Sequence, residues 1–208
     1  MSKPADFWND RFSADQYIYG VAPNDFVATA AEDWLTDPQD VLDLGVGEGR
    51  NAVYLAQQGH TVTAADYSVE GLRKTKRLAE KSGVAVETVQ ADVRDWVPDR
   101  TWDAVVTTFL HLPPADRPAL YDRIRQCLRP GGLLIAEWFR PEQRTEGYTS
   151  GGPPDVDMMV TAEELREHFD EPGIDHLEIG EPMLDEGMHE GPGATVRFVW
   201  RRSTDGAS

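Results

Sequence analysis

The chain has 208 residues, and 37 acidic against 20 basic side chains give it a formal net charge of −17 at pH 7. Such a surface repels phosphate backbones, so we expect no nucleic-acid partner. No apolar run approaches the ~20 residues of a membrane helix, so we expect no membrane partner. The first residues lack the apolar centre of a secretory signal, and the one cysteine, Cys127, leaves no disulfide framework. We therefore expect a cytoplasmic protein.

Helices and strands are predicted to alternate from residue 25 onward. Residues 25–35 have helical spacing. Short apolar or β-branched runs predict strands over 41–44, 60–66, 84–90, 102–110 and 133–139. The runs between them predict helices over 50–58, 68–83 and 120–128. Ser68 is expected to cap the second of these three helices and Gly83 to end it.

The pattern changes after residue 139. The segment 140–157 is rich in glycine and proline and long for a connection, so it is predicted to be either disordered or a functional lid. Thr161 and Glu164 match a capping box that opens a helix ending at Phe169. The runs 176–184 and 194–202 predict two closing strands joined by a loop.

Five strand–helix units followed by a pair of strands predict an α/β fold. The sheet should be doubly wound, mostly parallel and seven-stranded, with an antiparallel edge strand. We expect a single domain over 1–208, with an N-terminal lid segment over 1–36, a core over 37–202 and a frayed tail over 203–208.

A glycine-rich turn follows the first predicted strand, in VLDLGVGEGRNAV (41–53). A strand, a glycine turn and a helix N-terminus together form a ligand site at the carboxyl end of a parallel sheet. Arg50 stands where a dinucleotide fingerprint requires its third glycine, and the G-K-[ST] ending of a phosphate loop is absent. The pattern D-x-G-x-G-x-G is instead similar to the turn of class I S-adenosylmethionine-dependent methyltransferases, although such a turn can also be purely structural.

Two carboxylates follow at the ends of the next strands. Asp66 ends the second strand, where an acid can accept both ribose hydroxyls, a feature that dinucleotide enzymes share. Asp92 follows the third strand, where it can accept the adenine amino group while the Val93 N–H faces a ring nitrogen. Taken alone, Asp92 is equally well explained as a helix cap. The three features in this order predict a nucleoside site.

Segments along nearly the whole chain resemble one group of small class I methyltransferases, which includes the tellurite-resistance and thiopurine methyltransferases. The matching segments are FWNDRFSADQYIYGVAPNDFV, GEGRNAVYLAQQGHTVTAADYS, FLHLPP, LRPGGLL, PEQ…GYTSGGP and DEGMHEGPGA. The resemblance implies a Rossmann-like methyltransferase fold with 37–202 as its catalytic core, S-adenosylmethionine as the cofactor, and methyl transfer to a small molecule.

Residue types then suggest which positions hold that cofactor. The candidates are Trp8, Tyr19, Asp43, Gly45, Gly47, Arg50, Asp66, Tyr67, Asp92, Val93 and Phe109. Asp43 and the glycines would hold the methionine portion, directly or through water. Arg50 either pairs with the methionine carboxylate or is an exposed helix arginine. The aromatic residues near the N-terminus either face the sulfonium or pin an N-terminal helix onto the core.

The methyl acceptor is expected to be small and soft. A thiolate, selenide or reduced tellurium anion needs no strong base, so we favour these over oxygen or nitrogen. His111 is the candidate general base or substrate orienter, or else is structural. Tyr17, His189 and Arg197 are candidate acceptor-site residues, the last two because they could attract an oxyanion. Glu190 stands where some chalcogen methyltransferases carry a basic residue, which weakens a tellurite assignment.

Other interpretations remain open at this point. The chain could bind S-adenosylmethionine as a sensor without turnover, or be an NAD-dependent oxidoreductase, which Arg50 disfavours. The scattered histidines and single cysteine have no metal-ligand spacing, so no metal is expected. The acidic composition suits either an ordinary cytosolic protein or one adapted to a salty cytoplasm. The sequence does not decide between a monomer and a homodimer.

Overall fold

Strands and helices alternate through the first two thirds of the chain, except that no helix separates the strands at 86–90 and 102–108, in a computed structural model that describes residues 5–204. The helices are α1 (Ala5–Phe12), α2 (Asp25–Trp34), α3 (Arg50–Gln57), α4 (Val69–Ser82) and α5 (Arg117–Cys127). The strands are β1 (Asp40–Leu44), β2 (Thr61–Asp66), β3 (Val86–Gln90), β4 (Trp102–Thr108) and β5 (Leu128–Phe139). The last third holds α6 (Glu142–Thr145), α7 (Ala162–His168), β6 (Ile174–Gly180), β7 (Met183–Glu186), β8 (His189–Pro192) and β9 (Thr195–Arg201), with 3₁₀ turns at Val156–Met158 and Glu171–Gly173.

Seven strands form one sheet in the order β3-β2-β1-β4-β5-β9-β6, and β7 and β8 form a separate hairpin. Strands β1 to β5 pair in parallel, whereas β9 is antiparallel to both of its neighbours. The predicted doubly wound, mostly parallel sheet is therefore confirmed. Its antiparallel strand lies one place in from the edge, because the chain leaves β6, passes through the hairpin and returns between β5 and β6.

Both faces of the sheet are covered by helices. Trp102, Tyr121 and Phe169 belong to the core on one face, and Phe26 and Leu55 to the core on the other. The central strands consequently have apolar residues on both sides, which explains why the fourth predicted strand, WDAVVTTFL, does not alternate between apolar and polar residues.

The predicted helix caps are confirmed. The Ser68 side chain accepts a hydrogen bond from the Gly71 amide, and Gly83 ends α4 with a φ of 71°. Thr161 Oγ1 accepts a hydrogen bond from the Glu164 amide at 3.1 Å. The Glu164 carboxylate does not complete the capping box, because it pairs with Arg117 at 2.6 Å.

The structure corrects three predictions for the last third of the chain. The strand predicted over 176–184 stops at Gly180, and Pro182, which has no N–H to donate, separates β6 from β7. The loop predicted after it forms most of the β7–β8 hairpin. The segment 140–157 is not disordered, since it holds α6 and a 3₁₀ turn, and Gln143 and Ser150 are buried within it.

Only part of the predicted tail can be described. Ser203 and Thr204 lie within the described residues, and 205–208 lie outside them, as do residues 1–4. None of the helices within 5–204 has both the length and the apolar character that crossing a bilayer requires.

Candidate active site

A cavity of about 650 Å³ lies where the parallel strands end. Gly45, Asp66, Asp92 and Phe109, which follow or end β1 to β4, contribute to its wall. Other parts of the wall come from α1, from residues 19–20, from the end of β5, from residues between 149 and 158, and from the tip of the β7–β8 hairpin. The predicted site residues that line this cavity are Trp8, Tyr19, Gly45, Gly47, Arg50, Asp66, Tyr67, Asp92, Val93, Phe109, His111 and His189.

The glycine turn needs glycine for its backbone conformation. Gly45, Gly47 and Gly49 have φ values of 74°, 58° and 93°, in the left-handed region that other residues rarely adopt. A Cβ on Gly49 would also lie only 2.6 Å from the Thr75 side chain. The alternating glycines of the sequence therefore reverse the chain tightly between β1 and α3.

Asp66 joins this turn to the end of β2. Its carboxylate accepts hydrogen bonds from the amides of Gly47 and Ser68, each at 2.8 Å. Burial raises the pKa of Asp66, and these amides oppose the rise because they favour the charged form. A carboxylate can accept further hydrogen bonds, so Asp66 can still accept from a ligand hydroxyl in the cavity.

Asp92 is paired with a neighbouring arginine. Its Oδ1 accepts from the Arg94 amide at 3.0 Å and from Arg94 Nε at 2.9 Å, and this arginine lowers the pKa of Asp92. Residues 91–101 contain turns and no helix, so the explanation of Asp92 as a helix cap is wrong. Tyr67 lines the same wall, where burial and the neighbouring Asp66 and Asp92 raise its pKa to about 12.

Two buried groups of opposite charge lie beside the glycine turn. Asp43 is 2% exposed, and its Oδ2 has no hydrogen-bond partner among residues 5–204. Burial raises the pKa of Asp43 to about 7, and the Arg50 charge opposes this rise. Arg50 is itself buried and pairs with Glu186 at 2.6 Å, while its Nη1 has no partner in the described chain. Arg50 is therefore not an exposed helix arginine, and Asp43 lies just behind the cavity wall rather than on it.

A cluster of rings forms the other end of the cavity. Phe109 stacks on Phe139 with ring centroids 4.5 Å apart, and His189 lies 4.7 Å from Phe109 and 4.6 Å from Tyr19. His111 stacks on Phe139 at 5.9 Å. Phe109 has a φ of 54°, and such strain in a non-glycine residue is characteristic of functional sites.

Both histidines in this cluster are neutral at pH 7. His111 Nδ1 lies 3.1 Å from the Met158 carbonyl oxygen, which can only accept, so Nδ1 carries the proton and Nε2 the lone pair. Burial lowers the pKa of His111 to about 4 and that of His189 to about 3. A neutral His189 could attract an oxyanion only by donating a hydrogen bond and not by a positive charge.

Two predicted acceptor-site residues lie outside the cavity lining. The Tyr17 hydroxyl donates to the Lys74 carbonyl oxygen at 3.1 Å. Arg197 Nε donates to Glu137 at 2.8 Å, and its guanidinium lies over the Phe26 ring. Both side chains are occupied by these contacts, so neither is retained as an acceptor-site residue.

A buried ion pair that sequence reasoning missed fastens the N-terminal segment to the glycine turn. Lys74 Nζ and Glu48 Oε1 are 2.6 Å apart, and both side chains are almost fully buried. Glu48 also accepts from the Ile18 amide at 2.7 Å, and Lys74 donates to the Gln16 carbonyl oxygen at 2.7 Å. The sequence feature that could have revealed this pair is the position of Glu48 between two glycines of the turn.

A second residue that sequence reasoning missed, Arg11, lies in the part of the cavity wall formed by Trp8, Tyr19 and Met188, which we call the roof. Its guanidinium lies 5.6 Å from the Trp8 ring and 5.7 Å from the Tyr19 ring, and it contacts Met188 Sδ at 3.3 Å. The hairpin tip meets the N-terminal segment here, since the Met188 amide donates to the Ile18 carbonyl oxygen at 2.9 Å. The roof thus combines the first and last parts of the fold.

The central part of the chain matches a known family model. Residues 41–132 match the family model described as a methyltransferase domain. The chain resembles the class I S-adenosylmethionine-dependent methyltransferases in sequence and in fold, as predicted, and S-adenosylmethionine is the cofactor of that class.

Among individual proteins, the chain is similar to TehB of Haemophilus influenzae (strain KW20 / Rd), named a probable S-adenosyl-L-methionine-dependent methyltransferase. The two are 28% identical over 106 residues, which cover 49% of this chain and 37% of TehB. The carboxy-S-adenosyl-L-methionine synthase of Vibrio atlanticus is 31% identical over 116 residues, 52% of this chain and 48% of the synthase. The chain thus spans less than half the length of either relative.

Solved structures show the same fold. The TehB crystal structure gives a TM-score of 0.69 at 20% identity, over 96% of this chain and 67% of TehB. A structure from work on the conversion of a disulfide bond into a thioacetal group during echinomycin biosynthesis gives 0.77 at 19% identity, over 98% of this chain and 91% of the other.

Residues in the cavity wall and directly behind it fit S-adenosylmethionine. Its amino-acid arm carries an ammonium and a carboxylate, and the unpartnered buried atoms beside the turn are Asp43 Oδ2 and Arg50 Nη1. Buried charged groups need partners of opposite charge, and such an arm supplies one to each. The fit thus rests on atoms that the protein alone leaves unsatisfied.

Proposed function

We propose that the chain transfers a methyl group from S-adenosylmethionine to a small-molecule acceptor, with a sulfur, selenium or tellurium nucleophile preferred. One observation carries the proposal: a single cavity contains both the glycine turn with its strand-end carboxylates and a chamber of aromatic and histidine rings. A cofactor held at the first end would direct its methyl group toward the second.

In this proposal, the end of the cavity that contains the glycine turn and the strand-end carboxylates orients the cofactor. Asp66 accepts the ribose hydroxyls, Asp92 and Val93 take the adenine edge, and Tyr67 covers one adenine face. Arg50 binds the carboxylate of the amino-acid arm, and Asp43 receives its ammonium, directly or through water. When bound, S-adenosylmethionine supplies an electrophilic methyl group on a sulfonium.

The ring chamber suits a soft nucleophile. The rings around Phe109 exclude water, and the Tyr19 and Trp8 rings in the roof can stabilise the sulfonium by roughly 0.5–2 kcal/mol each. A histidine with a pKa of about 4 is a weak base, so His111 orients the neutral acceptor by accepting a hydrogen bond at Nε2 from its S–H or Se–H, and this bond ends when the proton passes to solvent. A thiol or selenol loses its proton near neutral pH without a strong base.

Two further observations support sulfur over a tellurium oxyanion. His189 is neutral, and Glu190 beside it adds a negative charge. The structural neighbour from the echinomycin work is connected by its description with a change from a disulfide to a thioacetal, which is sulfur chemistry.

A transfer assay tests the proposal. The protein is incubated with S-adenosylmethionine carrying a labelled methyl group and with a panel of thiols, selenols, phenols and amines, and products are identified by mass spectrometry. We expect methyl transfer to some of the thiols and selenols in the panel. Binding of S-adenosylhomocysteine with no transfer to any acceptor would favour a sensor, and tight NADH binding without binding of S-adenosylhomocysteine would favour an oxidoreductase; either result overturns the proposal.

A further inference from the structure

The β7–β8 hairpin places a carboxylate, Glu186, in the protein interior beside the cavity. Glu186 is 5% exposed. Its Oε2 accepts from Arg50 Nη2 at 2.6 Å, and its Oε1 accepts from Asn24 Nδ2 at 2.9 Å. Arg50 lines the cavity and Glu186 does not, so the carboxylate contacts the site only through the arginine.

The orientation of Glu186 is fixed from the side away from the cavity. Asn24 is fully buried, its Oδ1 accepts from the Val27 amide at 2.9 Å, and its Nδ2 also donates to Glu137 at 2.6 Å. Glu137 is held in turn by Arg197. Asn24 therefore has both of its amide protons engaged and cannot turn without breaking the cap of α2.

This arrangement leaves one edge of the Arg50 guanidinium for a ligand. Glu186 occupies Nη2, whereas Nη1 is buried and has no partner among the described residues. A buried donor without an acceptor is costly, and the planar guanidinium can bind two carboxylates on different edges. A ligand carboxylate in the cavity would satisfy Nη1 while Glu186 keeps the plane of the group fixed.

We infer that Glu186 is a positioning residue for cofactor binding: by holding Arg50 Nη2, it directs Nη1 toward the carboxylate of the amino-acid arm. The inference rests on the proposed function, because it assumes that S-adenosylmethionine occupies the cavity. Arg50 and Glu186 are 136 residues apart in the sequence, so the role belongs to the folded hairpin.

Two ligands that differ in the amino-acid arm test the inference by calorimetry. S-adenosylhomocysteine carries the carboxylate, and 5′-methylthioadenosine has the same nucleoside and sulfur without it. We expect Glu186→Gln to weaken S-adenosylhomocysteine binding about tenfold, as loss of one charge-assisted contact, and to leave 5′-methylthioadenosine within about twofold. Arg50→Met should act in the same direction, and the double variant should bind no more weakly than Arg50→Met alone.

Matched variants separate positioning from general damage. Glu164→Gln removes the partly buried partner of another arginine, Arg117, away from the cavity lining, and should change neither affinity. Asp92→Asn should weaken both ligands, because it acts on the adenine. Glu186→Asp keeps the charge and should partly rescue S-adenosylhomocysteine binding, which also serves if Glu186→Gln fails to fold.

The inference is overturned if Glu186→Gln binds S-adenosylhomocysteine as tightly as the unmodified protein does, weakens both ligands equally, or adds its full effect to that of Arg50→Met. Failure of the proposed function looks different: the unmodified protein would then either not bind S-adenosylhomocysteine at all or bind it without transferring a methyl group in the transfer assay, and neither result depends on Glu186.

Discussion

Asp43 is an acid whose protonation should depend on the cofactor. Its pKa, raised to about 7 by burial, lies well above the ordinary value for an aspartate. The native state therefore keeps a proton that the unfolded chain has lost, so the contribution of Asp43 to stability falls as pH rises from about 4 to about 7. A bound ammonium would favour the charged form and reverse the shift.

Binding of S-adenosylhomocysteine at about pH 6.5 should accordingly release a proton from Asp43. Calorimetry in two buffers of different ionisation enthalpy measures this release. Asp43→Asn preserves the shape of the side chain and should abolish the Asp43 share of it. Equal release by the variant and the unmodified protein would show that Asp43 does not respond to the ligand.

His111 should orient the acceptor without acting as a base in the physiological range. Because its pKa is about 4, His111 does not change protonation between about pH 5.5 and 7, so we expect no change in the thiol-methylation rate from His111 in that range. His111→Phe should raise the KM for a thiol about tenfold through the lost hydrogen bond, with unchanged affinity for S-adenosylhomocysteine. His176→Gln, outside the cavity lining, is the control. This role would be contradicted if the methylation rate fell as pH was lowered through an apparent pKa near 6.5 and if this pH dependence disappeared in His111→Phe.

The sequence predicted residues whose chemistry is local. Asp66 and Asp92 follow strands, and the glycines at 45, 47 and 49 form one turn, so their proximity follows from the order of the elements. Glu48 and Lys74, or Arg50 and Glu186, are brought together only by tertiary packing over 26 and 136 residues. Tyr17 and Arg197 were assigned by residue type, which does not tell which way a side chain points.

At the level of elements, the β7–β8 hairpin and the N-terminal segment close the cavity together at Gly187. Gly187 has a φ of 64°, and a Cβ there would lie 2.3 Å from the Ile18 carbonyl oxygen. Any side chain would therefore push the hairpin away from residues 18–20.

Gly187→Ala should loosen this closure, and Gly83→Ala provides a matched control. Gly83 has a similar φ of 71°, and a Cβ there would meet nothing within 4 Å, so both variants share a left-handed strain of roughly 1–2 kcal/mol. Only Gly187→Ala should speed hydrogen exchange at residues 16–20 and lower the affinity for S-adenosylhomocysteine. Equal behaviour of the two variants would mean that the contact does not hold the roof.

Element types were easier to predict than their ends and their order. Periodicity identified the five parallel strands and the helices α2 to α5, but the predicted fifth strand–helix unit is not formed, because no helix lies between β3 and β4. The two closing strands have similar patterns, so nothing in them indicates that β9 inserts between β5 and β6. The hairpin was hidden because glycine and proline occupy 187 and 191–193, which also suits a loop.

For the whole molecule, the net charge of −17 destabilises the folded state through repulsion among the acidic side chains. Raising ionic strength from about 0.1 to 1 M shortens the Debye length from about 10 to 3 Å. If the acidic surface is an adaptation to salt, the Tm should rise over this range, equally in NaCl and KCl because screening depends on ionic strength. A Tm that stays constant or falls would favour the interpretation as an ordinary acidic protein.

The central claim is that one cavity binds an adenosine with an amino-acid arm and faces the sulfur toward the ring chamber. A crystal structure with S-adenosylhomocysteine tests it most directly. We predict adenosine between Asp66 and Asp92, the carboxylate at Arg50 and the sulfur beside Phe109. Adenosine bound anywhere else, or the arm directed away from Arg50, would contradict the account.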